Sequence, residues 1–390
     1  MNVPKLRFKE FNDEYKSIKL KDVSEIYDGT HETPNYVEKG VKFVSVENIS
    51  NLLDTTKFIP ESDYNKYKIK PKYNDVFMTR IGDIGTSSIY KSDEELAYYV
   101  SLALLRTKDN HILIPDYLNQ YIKNNSFQKE LYNRTIHVAF PKKINTGEIG
   151  ECSINLCSDK EQLKVSNFLS LLDKKIELQS KKIEDLKLFK KGLLIKEFNN
   201  KKCSNKLKEC FDFGKAGGTP KSTNKEYYNG YIPFLSISDM TTQGKYIYYT
   251  NKSITEAGLN NSTAWLVPKN SIIISMYASY GLVSINKIDL TTSQAMFNMV
   301  INKNYVVEYI YYYLYYLYIS NFYNSIVSTG TQSNLNAEQI KLLDMYIPCY
   351  NEQKRIYEQF SKIDFKINLE QKKINELLYL KKGLMQNMFV

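Results

Sequence analysis

The chain contains one long charged segment twice. Residues 181–194 read KKIEDLKLFKKGLL and residues 372–385 read KKINELLYLKKGLM, and the two align without a gap at an offset of 191 (372 − 181 = 191). The similarity extends from residues 161–198 to residues 352–389, and both copies begin with Glu-Gln and end with Phe. Repetition at this distance indicates a duplicated structural unit.

Both copies have the pattern of a long helix. Neither contains proline, glycine occurs only near the end, and apolar residues recur at steps of three and four, as in a heptad seam. The seam is interrupted at matching places by Gln179 and Glu370 and by Lys190 and Lys381, and polar seam residues restrict register. We expect the two helices to pair antiparallel; the alternative is two unrelated surface helices. The seam residues are Val165, Leu169, Leu172, Ile176, Ile183, Leu186 and Leu193, then Ile356, Phe360, Ile363, Ile367, Ile374, Leu377 and Leu384.

A globular region precedes each helix, at residues 20–156 and 207–347. Both contain, in the same order, a Gly-Thr turn, short β-branched runs that end in glycine, and a helical pattern. This composition favours compact, mostly-β bodies. The predicted fold class is therefore α+β: two mostly-β domains separated by two long antiparallel coiled-coil helices, with a pseudo-two-fold internal repeat. The tyrosine-rich run 309–319 is too short to span a membrane and is interpreted as a packed helix.

The balance of charge is basic, with 53 Lys+Arg against 43 Asp+Glu and a formal net charge of +10. This excess favours a polyanionic partner such as nucleic acid. The alternative is codon bias, because the chain is rich in Lys, Asn, Ile and Tyr. Five cysteines without a C-x-x-C pair, and no signal peptide, predict a reducing cytoplasm.

The sequence contains no motif for catalysis or cofactor binding. It has no G-x-G-x-x-G fingerprint and no Walker A sequence. Its three histidines, His31, His111 and His137, are far apart and lack the spacing of a metal site. We therefore predict a chain without catalytic residues, metal or cofactor. Two similar but non-identical globular regions joined by rigid helices suit the reading of a bipartite, asymmetric duplex site.

Several segments together resemble the specificity (S) subunits of type I restriction–modification systems. They are VPKLRF and KLKDV near the N-terminus, GTHETP and GGTPKST in the Gly-Thr turns, and Glu-Gln before helices that end LKLFKKGLL and LYLKKGLM. The resemblance covers nearly the whole chain and rests on the duplicated order of these segments.

The resemblance implies a DNA-binding chain that does not catalyse. Each target-recognition domain would read one half of a split site. Two spacer helices would set the distance between the half-sites and hold two modification subunits, which bind S-adenosylmethionine and methylate adenine at N6; a restriction subunit would add ATP-driven cleavage. The domains would be residues 1–157 and 199–348, and the spacer helices residues 158–198 and 349–390.

Candidate DNA contacts lie in three loops of each half. We expect Arg80 to bridge guanine, Gln332 and Asn334 to pair with adenine edges, and the lysines to hold phosphates. For each residue the alternative is a turn or surface role without DNA contact. The candidates are Thr30, His31, Thr33, Tyr36, Arg80, Asp83, Arg134, His137, Lys142 and Lys143, then Thr219, Lys221, Ser222, Tyr277, Tyr280, Thr331, Gln332 and Asn334.

Two other functional classes stay open from the sequence. One is a single-chain DNA-modifying or DNA-cleaving enzyme with divergent motifs, and the other is a coiled-coil scaffold that does not bind DNA. The first half also departs from the family pattern before its helix, where Cys157 to Lys160 stand in place of a proline-containing turn. We expect entry into the first helix to differ from that family pattern.

Overall fold

The computed structural model describes residues 3–203, 205–277, 279–327 and 334–390. They form two compact units. The first unit consists of Met1–Ser180 and Lys372–Val390, and the second of Lys181–Gln371. Both contain helices and sheets, so the α+β prediction is confirmed.

The first unit contains two small sheets, a two-stranded pairing of its first and last strands, and parts of both long helices, including the last part of the second long helix from residue 372 onward. Its helices are α1 (Leu20–Val23), α2 (Glu61–Tyr64), α3 (Pro115–Ile122), α4 (Asn125–Arg134), α5 (Thr146–Gly150) and the first part of α6 (Asp159–Phe198). Its strands are β1 (Lys16–Lys19), β2 (Ser24–Asp28), β3 (Val41–Val44), β4 (Phe58–Ile59), β5 (Val76–Thr79), β6 (Ser87–Ile89), β7 (Leu96–Tyr98), β8 (Leu102–Thr107) and β9 (Ser153–Leu156).

The second unit has a similar order of elements and also contains the last part of α6, from residue 181 onward. Its helices are α7 (Ile237–Gln243), α8 (Glu256–Asn260), α9 (Val307–Ile319), α10 (Ala337–Lys341) and the first part of α11 (Tyr350–Met388). Its strands are β10 (Asn205–Lys206), β11 (Phe211–Ala216), β12 (Tyr228–Leu235), β13 (Tyr246–Ile247), β14 (Lys252–Ile254), β15 (Ile272–Ser275), β16 (Val283–Asn286), β17 (Thr291–Thr292), β18 (Met296–Ile301) and β19 (Asp344–Met345).

The sheets of the two units have the same topology. The first unit has sheets in the order β2-β8-β5-β6, β4-β3-β7 and β1-β9, and the second has β11-β18-β15-β16-β13, β14-β12-β17 and β10-β19. In each three-stranded sheet one outer strand is antiparallel and the other parallel to the central strand. The second unit differs by one added edge strand, β13, which runs parallel to β16. The two halves therefore share one fold although their sequences differ.

Both long helices contribute to the core of each unit. Val165 and Leu169 of α6 and Met385 and Phe389 of α11 are buried in the core of the first unit. The equivalent residues 356, 360, 194 and 198 are buried in the core of the second. Every predicted seam residue is buried or half-buried. The apolar stripe of each long helix thus packs against the core of a globular part as well as against the other long helix.

Ion pairs show the direction of helix pairing within the second unit. Lys182 pairs with Glu370, Lys190 with Asp364 and Glu197 with Arg355, so residue numbers rise along one helix as they fall along the other. The pairing is antiparallel, as predicted.

Three of the polar interruptions of the seam, Glu370, Lys190 and Lys381, form ion pairs. Lys190 Nζ lies 2.5 Å from Asp364 Oδ1, and the hydroxyl of Tyr312 on α9 donates to Asp364 Oδ2 at 2.6 Å. In the first unit Lys381 pairs with Asp173, which accepts a hydrogen bond from Gln120 of α3 at 3.0 Å. In both units one aspartate therefore connects both long helices to the helix of the globular part.

The repeated Glu-Gln contributes a second shared connection. Gln162 is fully buried; its Oε1 accepts from Ile114 N at 3.0 Å and its Nε2 donates to Ile112 O at 2.8 Å and Cys157 O at 2.9 Å. Gln353 likewise accepts from the backbone N–H of residue 306 at 3.0 Å and donates to the carbonyl of residue 348 at 2.9 Å. Each glutamine side chain satisfies backbone groups just before a domain helix begins, which explains why the sequence repeats it.

Two further sequence predictions concern single elements. The tyrosine-rich run is α9, with Tyr309, Tyr311, Tyr312 and Tyr313 buried, so the packed-helix prediction is confirmed. The expected difference from the family pattern stays a prediction; within this chain α6 and α11 begin at equivalent residues, Asp159 and Tyr350. Backbone hydrogen bonds form the first turn in both, so proline is not needed there. Among the described residues, no helix is both long and apolar enough to cross a membrane.

Candidate nucleic-acid interface

Three loops meet at one end of the globular part of the first unit. We call them the Gly-Thr loop (residues 28–36), the strand turn (residues 80–86) and the pre-helix loop (residues 134–144). Thr30 N donates to Tyr98 O at 3.0 Å, Arg80 N donates to Ser101 O at 3.0 Å, and Ile144 N donates to Arg80 O at 3.0 Å. The strands around β7 and β8 therefore hold loops that are far apart in sequence.

The second unit has the same framework of backbone hydrogen bonds. Its Gly-Thr loop is residues 217–228, its strand turn residues 276–281, and its pre-helix loop residues 327–335, of which residues 278 and 328–333 lie outside the described residues. Gly218 N donates to Thr292 O at 3.0 Å, Met276 N to Ala295 O at 2.7 Å, and Leu335 N to Met276 O at 2.9 Å. These bonds correspond one by one to those of the first unit.

The glycine of each Gly-Thr loop is required by close backbone approach. A Cβ at Gly29 would lie 2.5 Å from the carbonyl oxygens of residues 98 and 99, and a Cβ at Gly217 would lie 2.4 Å from the carbonyl oxygens of residues 292 and 293. Because no Cβ tolerates such contacts, glycine lets both loops cross the end of a strand. The following polar side chains are thereby presented at the surface.

The side chain of Arg80, a candidate for guanine contact, is buried beneath the three loops. Its side chain is 7% exposed, its Nη1 donates to Asp28 Oδ1 at 2.6 Å and to Val100 O at 3.1 Å, and its Nε donates to Ile144 O at 3.1 Å. The guanidinium thus joins the Gly-Thr loop, the turn between β7 and β8 and the end of the pre-helix loop. The equivalent residue Met276 is also buried, which fits a framework position and argues against direct contact with guanine.

The other candidates of the first unit lie on the surface of the three loops. Thr30 and Arg134 are half-buried, and the latter pairs with Glu148 at 3.1 Å. His137 Nε2 lies 2.9 Å from Tyr132 O. The exposed candidates are His31, Thr33, Tyr36, Asp83, His137, Lys142 and Lys143.

The candidates of the second unit are arranged similarly. Thr219 hydrogen-bonds the side chain of Gln294, and Tyr280 donates to Asn324 Oδ1 at 2.8 Å. Asn334 is half-buried beside the backbone link to Met276. Thr331 and Gln332 lie outside the described residues. The exposed candidates are Thr219, Lys221, Ser222 and Tyr277.

Sequence reasoning missed several residues of these surfaces. Asp28 and Gln294 hold the Gly-Thr loops, and Gln128 fixes the strand turn by donating to Gly85 O at 2.8 Å. No local pattern marks them, because their partners are distant in sequence. Val138 and Phe140 were also missed, although two apolar residues between a histidine and two lysines stand out in a polar loop.

A cavity of about 810 Å³ lies in the second unit, between the long helices and α9. Its basic wall includes Lys187, Lys191 and Lys245, and its aromatic wall includes Tyr311 and Tyr315. Burial lowers the pKa of Lys245 to about 8, against the opposing effect of the Asp364 carboxylate. Over the described ranges, no group of three or more His, Cys, Asp or Glu side chains is placed to hold a metal ion.

Comparison with known proteins identifies the repeated unit. The family model described as the type I restriction modification DNA specificity domain matches residues 12–188 and again residues 200–379. The MjaIX specificity subunit of Methanocaldococcus jannaschii is 31% identical over 176 residues, which is 44% of this chain and 40% of that protein. The HindI specificity subunit of Haemophilus influenzae is 28% identical over 178 residues, 44% of this chain and 38% of that protein. The chain thus spans about 40% of the length of these two relatives.

Other matches extend over nearly the whole chain. A putative MjaX specificity subunit of M. jannaschii is 25% identical over 98% of this chain and 95% of its own length. A type I restriction-modification S subunit from M. genitalium has a TM-score of 0.59 at 15% identity, covering 100% of this chain and 99% of that one. A chain from a structural study of the assembly of a type I R-M system has a TM-score of 0.61 at 13% identity, covering 96% and 97%. The chain belongs to the type I restriction modification DNA specificity family, with two copies of the family's domain and the fold of an S subunit.

Proposed function

We propose that this chain is the sequence-specific DNA-binding subunit of a type I restriction–modification complex, and that each unit reads one half of a bipartite, asymmetric site. One observation carries the proposal: the same three loops converge in both units on the same backbone hydrogen bonds, while their side chains differ. A duplicated framework with two different surfaces suits two readers of different sequence. The chain supplies recognition, and its partner supplies the chemistry.

The proposed contacts divide by chemistry. The exposed ammonium groups of Lys142, Lys143 and Lys221 bind phosphates and position the duplex. Hydroxyl, imidazole and amide groups such as those of Thr33, His31 and Asn334 face base edges. The buried Arg80 is assigned to the framework. The predicted contacts of Thr331 and Gln332 stay predictions.

The long helices are proposed to hold two modification subunits that carry S-adenosylmethionine and methylate adenine at N6, and also to set the spacing between half-sites. The relatives are named as specificity subunits of type I restriction enzymes, which supports a restriction subunit as a further partner. The domain boundaries 1–157, 158–198, 199–348 and 349–390 stay a prediction; the helices themselves run Asp159–Phe198 and Tyr350–Met388.

The decisive experiment maps methylated adenines in cells that express this chain together with its modification subunit. We expect a single motif made of two specified half-sites separated by unspecified pairs. In a second strain, residues 207–347 are replaced by the equivalent region of a relative that recognises another sequence. One half-site should change and the other should stay.

Three results would contradict the proposal. No duplex binding by a folded complex would favour a scaffold. Methylation or cleavage by the purified chain alone would favour a single-chain enzyme. Loss of both half-sites in an active complex with the replaced region would refute one reader per unit.

A further inference from the structure

The tip of the pre-helix loop in the first unit carries two fully exposed apolar side chains. Val138 is 97% exposed and Phe140 is 103% exposed. The next most exposed large apolar side chain among the described residues is Tyr379, at 82%. Single exposed apolar residues are ordinary, but two neighbours that project completely into solvent mark a surface that meets a partner.

The base of this loop is held firmly while its tip projects. Ile136 N donates to Lys143 O at 2.8 Å, and Gly82 N donates to Lys142 O at 2.8 Å. Further bridges join Ile81 and Ile136 to Lys143. The loop is thus a short hairpin attached to the strand turn, so little conformational entropy is left to lose when its tip is bound.

Charge identifies the kind of partner. Lys142 and Lys143 follow the tip after Pro141, His137 precedes it, and all three cationic or imidazole side chains are exposed. The neighbouring strand turn and Gly-Thr loop carry the other proposed DNA contacts of this unit. An apolar tip flanked by cations on a DNA-reading surface matches duplex DNA, where phosphates lie on either side of stacked, apolar base faces.

We propose that Phe140, with Val138 beside it, is a wedge that enters the duplex at the first half-site and separates two stacked base pairs, while Lys142 and Lys143 hold the adjacent phosphates. This inference rests on the proposed function and adds DNA distortion to it. Residues 328–333 of the second half lie outside the described residues, but their sequence, STGTQS, contains no apolar side chain. We therefore assign the wedge to the first half-site.

The first test measures affinity of the purified full-length chain for a duplex that contains its methylation motif. Loss of aromatic stacking on a base weakens binding substantially, so Phe140→Ala should raise Kd about 10-fold or more, and Phe140→Leu should raise it less. The matched control is Phe365→Ala, which removes a 71% exposed phenylalanine from α11 and should leave Kd unchanged. Equal Kd values for wild type and Phe140→Ala would overturn the proposal.

The second test separates insertion from contact within a groove. 2-Aminopurine is placed at successive positions across each half-site, and its fluorescence rises where stacking is lost. With the chain alone, no methyltransferase is present to flip a base. We expect a rise at one step of the first half-site with wild type, none with Phe140→Ala, and none in the second half-site. No rise with wild type, although the duplex is bound, would overturn insertion.

The third test identifies the partner directly. A photoreactive benzoylphenylalanine replaces Phe140 in the complex with the modification subunit and labelled duplex. Crosslinking to the first half-site supports the wedge. Crosslinking to the modification subunit, or no crosslink at all, refutes it. Wild-type binding to the duplex is the control for the proposed function itself: if it is absent, the proposed function fails, and if it is present while position 140 does not crosslink, only the wedge fails.

Discussion

Removal of the ion pair between Lys190 and Asp364 tests the packing of the long helices most directly. The two side chains are 12% and 20% exposed, and their charged atoms are 2.5 Å apart. Asp364 also accepts a hydrogen bond from the hydroxyl of Tyr312 and lies 3.6 Å from the ammonium of Lys245. The variants are Lys190→Ala, Asp364→Ala and the double variant.

The expected free energies follow from this burial. A hydrogen bond to a charged group contributes about 1.5–3 kcal/mol, whereas an exposed ion pair contributes about 0–1 kcal/mol. Lys190→Ala should cost about 2 kcal/mol, because Asp364 keeps Lys245 and Tyr312. Asp364→Ala should cost about 3 kcal/mol, because it removes the carboxylate that two largely buried ammonium groups share. The double variant should cost about 3 kcal/mol, which gives a coupling energy of about 2 kcal/mol.

Urea denaturation of the full chain, followed by circular dichroism, measures all four free energies of unfolding. Lys191→Ala is the matched control, because this neighbouring lysine is exposed, and it should change stability by less than about 0.5 kcal/mol. The equivalent pair, Asp173 and Lys381, is 34% and 21% exposed, so its coupling should be smaller, about 1 kcal/mol. A coupling energy below about 0.5 kcal/mol for Lys190 and Asp364 would refute the reasoning, since independent sites are additive within that range.

Three further predictions concern other contacts. Gln162→Ala should destabilise the first unit by about 3 kcal/mol, because it leaves one backbone N–H and two carbonyls unpaired; a loss below about 1 kcal/mol in urea denaturation would contradict this role. Burial lowers the pKa of Lys245 to about 8, below the unfolded value of about 10.4, so between pH 8 and 10 the unfolded chain binds one more proton than the folded chain. The free energy of unfolding of wild type should therefore rise by up to about 1.4 kcal/mol per pH unit relative to that of Lys245→Met. A difference between the two proteins that stays constant with pH would show that this pKa is not lowered. Seven residues inserted at matching points of α6 and α11 lengthen each by about 10 Å and should add about three base pairs between half-sites; an active complex with an unchanged spacer would show that the helices do not set the distance.

Much of the long-helix region was predictable from sequence. Heptad spacing is local, and duplication shows the same pattern twice, so the seam, the antiparallel pairing and the polar positions Lys190 and Lys381 were all recognisable. The Gly-Thr loops were recognisable too, because glycine followed by polar residues marks a turn. Sequence also placed the candidate DNA contacts in three separate loops of each half.

Only the tertiary structure decided how those loops combine and which of their residues are available. Arg80 looks like a base-reading residue in sequence, yet its guanidinium is used by Asp28, Val100 and Ile144, which lie 20 to 64 positions away along the chain. Phe140, an apolar residue that sequence reasoning passed over, is fully exposed. The physical reason is the range of the interactions: helix periodicity and turn chemistry are set within a few residues, whereas burial and hydrogen-bond partners depend on strands that meet only when the sheets have formed.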